Sequence, residues 1–204
     1  MARPVRLERL HHLTAAENWP FIQRDGLLST ATLLARSGAD AELRARVRAH
    51  RPDAIRLPDG VLVGDQWCQP PAALGRCLTG GLTPQDWYDR LNGYVFLWPD
   101  AQRAERHART YAGRAQVLLS FDAEALLGAH ADRVVLTRFN VGYALRRAKP
   151  RGLDAFKPYH VWRERPWKPV EVLIEEAVPD AMAHLVDVRE LRGDESLRIS
   201  EALV

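Results

Sequence analysis

Lys168-Pro169-Val170-Glu171-Val172-Leu173-Ile174-Glu175-Glu176-Ala177-Val178-Pro179 is the stretch on which the reading of this chain turns. It is a strongly apolar, β-forming run with an acid at a position where a buried strand carries valine or isoleucine. Side chains alternate across a strand, so Val170, Val172 and Ile174 share one face while Glu171 and Leu173 share the other. Glu171 therefore projects from a sheet. It is either a solvent-facing acid on an amphipathic strand, as most charged side chains are, or a carboxylate held in a cleft.

Immediately upstream the chain is basic. Arg138, Arg146, Arg147, Lys149, Arg151, Lys157, Arg163, Arg165 and Lys168 stand against Asp154 and Glu164, with Phe156, Tyr159, Trp162 and Trp167 among them. Such a segment suits nucleic acid, arginines on phosphates and aromatics on bases; equally, its tryptophans are core and its arginines solvated. Asn140-Val141-Gly142 is a turn signal, Tyr159 to Trp162 reads as a short strand, and beyond Glu171 acids dominate around a last strand at Val186 to Leu191.

Further out, Tyr94-Val95-Phe96-Leu97-Trp98 reads as a buried strand, Asp100 as the cap of a helix from Ala101 to Ala112, and Gln116 to Phe121 and Arg133 to Thr137 as strands around a short helix. On the Ala101 helix, Ala104, His107, Ala108 and Tyr111 form one stripe, flat enough for close approach or simply core. Thr83-Pro84 starts a helix closed by Asn92-Gly93, Ile55 to Gly64 is a hairpin, and Asp65 to Pro71 is a polar, aromatic loop that either lines a cleft or makes a surface connection. A polar, Arg-rich helix spans Ala39 to Ala49, and a short one starts at Ser29 and Thr30. At the N-terminal end Leu10-His11-His12-Leu13-Thr14 is a strand leading to a helix with Asn18 as N-cap and Gly26-Leu27 as its stop. Strands and helices do not alternate regularly and helices concentrate in the N-terminal two-thirds, which gives an α+β class and one domain over residues 1–204.

The bulk properties restrict function modestly. The 204 residues are 47% hydrophobic with a net charge of +3. No run approaches the ~18 apolar residues of a membrane span and no signal-peptide core is visible, so a cytoplasmic protein without a membrane partner is expected. Cys68 and Cys77 fit neither a zinc knuckle nor a disulfide framework. Adjacent strand residues such as His11 and His12 point to opposite faces, so no metal site is expected from them.

Three of these stretches, in order, resemble the ADP-ribosyltransferase superfamily, and most closely its bacterial DarT-like branch: the His12-Leu13-Thr14 strand with Asn18 and Gly26-Leu27, the Val95 to Trp98 strand with the Asp100 helix, and the Glu171 strand. The resemblance implies a split β-sheet core and a glycosyltransferase that uses NAD as substrate. It gives Glu171 the catalytic carboxylate, and puts His12 on the NAD ribose, the Leu13 backbone on the nicotinamide amide and Thr14 in support. Phe96 and Asn140 fall in its NAD pocket, with His107 or Tyr111 against the nicotinamide. Arg51, Arg56 and Arg76 are open candidates for the diphosphate, and DNA or RNA is a candidate acceptor through Arg138 to Lys168. An RNA 2'-phosphotransferase-like enzyme and a non-catalytic nucleotide- or nucleic-acid-binding module remain the alternatives.

Overall fold

The computed structural model describes residues 5–111, 114–145, 149–192 and 195–198. Strands are β1 (Arg9–Ala15), β2 (Leu27–Leu28), β3 (Ile55–Arg56), β4 (Leu62–Val63), β5 (Tyr94–Leu97), β6 (Gln116–Asp122), β7 (Val134–Thr137), β8 (Lys157–Pro158), β9 (Glu171–Glu175), β10 (Ala177–Val178), β11 (Leu185–Arg192) and β12 (Glu195–Arg198). Helices are α1 (Trp19–Asp25), α2 (Thr30–Arg36), α3 (Ala41–Arg48), α4 (Pro71–Gly75), α5 (Pro84–Asn92), α6 (Ala101–Ala108), α7 (Ala123–Ala129), α8 (Tyr159–Glu164) and α9 (Ala181–His184). The class is α+β. One four-stranded antiparallel sheet has the order β1-β6-β11-β12 and the other β5-β9-β7-β8, with two small antiparallel pairs, β10-β2 and the hairpin β3-β4.

β9 is a central strand of the second sheet and is covered on both faces, which is why its sequence is a nearly unbroken apolar run. Val172 and Ile174 join the core between the sheets, and Leu173 joins a second core with Trp87, Tyr88 and Phe156 on the opposite face. Burying each of these side chains is worth roughly 2 kcal/mol. Glu171 shares the face of Leu173, as strand alternation requires.

The edges of the two sheets are joined at a backbone bridge. His11 and Trp98 exchange both backbone hydrogen bonds at 2.8 Å, an isolated antiparallel bridge between β1 and the end of β5. Past that bridge the two strands part, and the opening between them is a cavity. Leu13 lies two residues beyond His11, so its N–H and C=O face the same side as those of His11, away from β6.

Local chemistry sets most boundaries. Ser29, Asp40, Asp100 and Asp122 each accept a backbone N–H at the start of their helices, and Thr83 and Asp86 form a reciprocal capping box on α5. Gly26 ends α1 at φ 75°, where a Cβ would lie 2.3 Å from the Val178 carbonyl oxygen. Two expectations change. Tyr159 to Trp162 is the helix α8 and not a strand: a three-residue step brings both rings to one side, stacked at 5.8 Å, whereas a strand would send them to opposite faces. The helix expected to reach Ala112 ends at Ala108 and continues as a 3-10 turn over Arg109–Tyr111; Ala112 lies outside the described residues.

Candidate active site

The opening between β1 and β5 is a cavity of about 600 Å³, inside the roughly 300–1,000 Å³ range of small-molecule sites. Its wall includes His12, Leu13 and Thr14 of β1, Phe96 of β5, Trp98, His107 of α6, the loop from Gly64 to Gln69, Asn92, Asn140 and Glu171. The loop that the sequence leaves open between a cleft wall and a surface connection lines this cavity from Asp65 to Gln69.

Glu171 is only 2% exposed. Its Oε2 accepts the Val141 N–H at 2.9 Å and faces the Thr137 hydroxyl at 3.2 Å. Thr137 also has the Phe139 carbonyl at 2.9 Å, and with one proton it serves one acceptor at a time. Desolvation pushes the carboxyl up to about 7, against the opposing pull of the Val141 N–H, the Thr137 hydroxyl and the charges of Arg151 and Arg103. Near neutrality this group therefore exchanges its proton within the cavity wall. Val141 is itself fixed, because its carbonyl accepts from Arg151 at 2.9 Å and from the Trp87 indole at 3.3 Å.

His12 reaches across the joint, its Nδ1 lying 2.9 Å from the Phe96 carbonyl oxygen. A carbonyl only accepts, so Nδ1 carries the proton, and burial holds the ring below its ordinary pKa and hence neutral. Nε2 is then an acceptor. Asn18 does not cap α1 with its side chain as expected. Instead its Nδ2 donates to Thr14 Oγ1 and to the Leu62 carbonyl, and its Oδ1 accepts the Leu62 N–H, which ties the β3-β4 hairpin to the cavity wall. His107 packs against Trp98 with ring centroids 5.4 Å apart, and burial lowers its pKa. The Tyr111 side chain lies outside the described residues.

Of the three arginines considered for a diphosphate, Arg51 lines the cavity and the other two do not. Arg51 is 4% exposed; it donates to the Val47 and Gly64 carbonyls and, at 3.1 Å, to Asn92 Oδ1, and burial lowers its pKa to about 10, so it stays charged. Arg56 is exposed and pairs with Glu17, and Arg76 is exposed at the end of α4. The cavity wall as a whole is balanced, with Arg24, Arg36, Arg51 and Arg114 against Asp25, Asp59, Asp65 and Glu171.

Part of the basic segment is engaged by the fold, while Arg138, Lys149, Arg163, Arg165 and Lys168 are exposed. Arg151 is 2% exposed, Arg138 lies 4.1 Å from the Trp167 ring centroid, Arg163 covers Tyr159, and Trp162 donates to the Trp167 carbonyl. Arg146 and Arg147 fall outside the described residues. Elsewhere, His130, Asp180 and His184 gather their ligand atoms within 4.8 Å, a grouping the sequence reading did not weigh. Arg133 donates to His130 Nδ1, however, so Nε2 carries the proton and points it at Asp180, 2.8 Å away. A metal-bound histidine needs the reverse polarity, and the cluster is a hydrogen-bonded strut between α7 and α9.

Residues 8–185 match the model of a family described as "Family of unknown function (DUF7002)". The chain belongs to this family. Among solved structures, this DUF7002 chain is similar to a chain described as Thermosipho africanus DarTG in complex with ADP-ribose, at 13% identity and a TM-score of 0.39, covering 89% of this chain and 43% of that one. It thus spans less than half of that chain's length. Comparison with the curated proteins found no match. No helix among the described residues is long and apolar enough to cross a membrane.

Sequence reasoning on this DUF7002 chain missed the Thr137 and Val141 partners of Glu171, and the burial of Gln66, Gln69 and Asn92. The turn signal at Asn140-Gly142 marked the right loop without revealing that its backbone holds the acid.

Proposed function

We propose that the cavity binds NAD and that the protein is an ADP-ribosyltransferase, breaking the nicotinamide–ribose bond and passing ADP-ribose to an acceptor. One observation carries the reading: Glu171 of β9 and His12 of β1, from opposite ends of the chain and different sheets, line the same cavity. NAD suits what the wall offers. The neutral His12 ring accepts from a ribose hydroxyl through Nε2, while the Leu13 backbone groups, supported by Thr14 at the parting of the strands, suit a carboxamide. Phe96, His107 and Asn140 border the nicotinamide end, and Arg51 supplies a buried cation for the diphosphate.

When the bond from ribose C1' to nicotinamide nitrogen breaks, nicotinamide leaves with the electron pair and positive charge grows on the sugar, as in glycoside cleavage. The ionised Glu171 carboxylate accepts from a ribose hydroxyl and stabilises that charge where water is scarce. The acceptor nucleophile then bonds to C1' and releases its proton to solvent, so that one proton is freed for each nicotinamide that leaves. The acceptor's identity is left open: the aromatics of Arg138 to Lys168, the segment suited to nucleic acid, are occupied within the fold.

The test is nicotinamide release from NAD by chromatography, comparing the unmodified protein with Glu171→Gln. Losing one preorganised group of this kind costs on the order of a hundredfold or more. Equal turnover removes Glu171 from the chemistry, and 2'-phosphate transfer from RNA that survives the substitution shifts the assignment to a phosphotransferase.

A further inference from the structure

Beside Arg51 the cavity wall holds three carboxamides that the proposed chemistry does not use. Gln66, Gln69 and Asn92 are 9%, 3% and 4% exposed, and all three line the cavity. Their backbones are well anchored: the Gln66 N–H donates to the Arg51 carbonyl, the Gln69 N–H to the Gln66 carbonyl at 2.9 Å, and the Tyr88 hydroxyl to the Gln69 carbonyl at 2.6 Å. Each side-chain end has one atom left over. Gln66 Oε1, Gln69 Oε1 and Asn92 Nδ2 have no hydrogen-bond partner among the described residues.

The neighbours fix which end is which. A guanidinium only donates, so the Asn92 atom 3.1 Å from Arg51 is its oxygen, and the Gln66 atom 3.4 Å from that oxygen is its nitrogen. What remains unpaired is therefore one donor, Asn92 Nδ2, and two acceptors, Gln66 Oε1 and Gln69 Oε1. The row leads toward the acid: a Cβ on Gly142 would lie 3.6 Å from Gln69 Nε2, and Gly142 follows the residue that clamps Glu171. Buried polar groups are nearly always paired, so three unpaired ends on residues that line one cavity mark a place where a ligand completes the pairing once the side chains turn toward it.

We propose that Gln66, Gln69 and Asn92 form a recognition site for an amino-bearing nucleobase. An exocyclic NH2 beside a ring nitrogen, as in adenine or cytosine, offers two donors and one acceptor in a plane, the complement of two glutamine oxygens and an asparagine N–H. Small rotations of the side chains turn the unpaired ends to that edge. An oxo base presents a carbonyl to the glutamine oxygens and leaves them unsatisfied, a mismatch that buried sites reject strongly. The inference rests on the NAD reading for the cavity being a ligand site, and the base is either the adenine of NAD or that of an acceptor.

Calorimetric titration with AMP against IMP, and CMP against UMP, tests it on the unmodified protein. An amino form binding at least tenfold tighter than its oxo counterpart is expected, with Gln69→Leu bringing the two within about twofold. Preference for AMP assigns the site to the adenine of NAD, and preference for CMP alone to an acceptor base. Equal affinities within both pairs, or no binding of any of the four, overturns the proposal. The two readings fail separately. A preference for AMP without nicotinamide release keeps the base site and removes the transferase chemistry. Glu171-dependent release that proceeds equally from NAD and from its hypoxanthine analogue, with CMP and UMP bound equally, does the reverse.

Discussion

Glu171→Gln should make the protein more stable above neutral pH while disabling it. In the folded chain the Glu171 carboxyl is raised from its ordinary 4.5 to about 7, chiefly by desolvation. Between those values the folded state holds a proton that the unfolded state has released, so stability falls as pH rises through the interval. At about 1.4 kcal/mol per pH unit, the loss accumulates to roughly 3 kcal/mol by pH 8.5. Glutamine has nearly the same shape, can accept the Val141 N–H, and has no charge to desolvate. Urea unfolding of both proteins at pH steps from 4 to 8.5 should give midpoints that nearly coincide at the acid end and diverge toward the alkaline end, with the variant the more stable. A difference that does not change with pH, or a variant that weakens relative to the parent as pH rises, would refute the reasoning. The same titration makes nicotinamide release rise with pH through about 7, as the carboxylate forms.

Thr137→Val removes a hydroxyl that favours the ionised acid, so the midpoint of the pH–rate profile should move upward by up to about one unit; a downward shift contradicts the assignment. Arg51→Met leaves the Val47 and Gly64 carbonyls and Asn92 Oδ1 without their donor, and should cost about 3 kcal/mol in urea unfolding, with an unchanged midpoint counting against it. Glu176, between β9 and β10, sits at φ 62°, a region that penalises side chains by roughly 1–2 kcal/mol. Glu176→Gly should therefore raise the thermal midpoint, and a lowered one would show that the side chain has another role.

How far the sequence carries depends on whether a feature is local. Val172, Leu173 and Ile174 announce a strand by themselves, and Thr83, Asp100 and Asp122 announce their helices through caps that act within three residues. The burial of Glu171 has no local signal. It follows from the pairing of β9 with β7, which sets Thr137 opposite Glu171 and brings the Val141 N–H to its carboxylate. Likewise nothing in the sequence separates Arg51 from Arg56 and Arg76; only packing against Asn92 and the Gly64 loop turns one of them inward. Asn92 reads correctly as the end of α5, and that reading hides its place in the cavity wall. In the basic segment composition does not single out Arg151, whose guanidinium donates to the Val141 and Tyr143 carbonyls inside the fold.

The measurement closest to the central claim is a crystal structure with carba-NAD, whose ribose-to-nicotinamide bond cannot be cleaved in the same way. The account predicts density in the cavity between β1 and β5, with ribose hydroxyls within about 3 Å of both the Glu171 carboxylate and His12 Nε2. A ligand bound outside that cavity, or seated in it with the nicotinamide ribose away from Glu171, would contradict it.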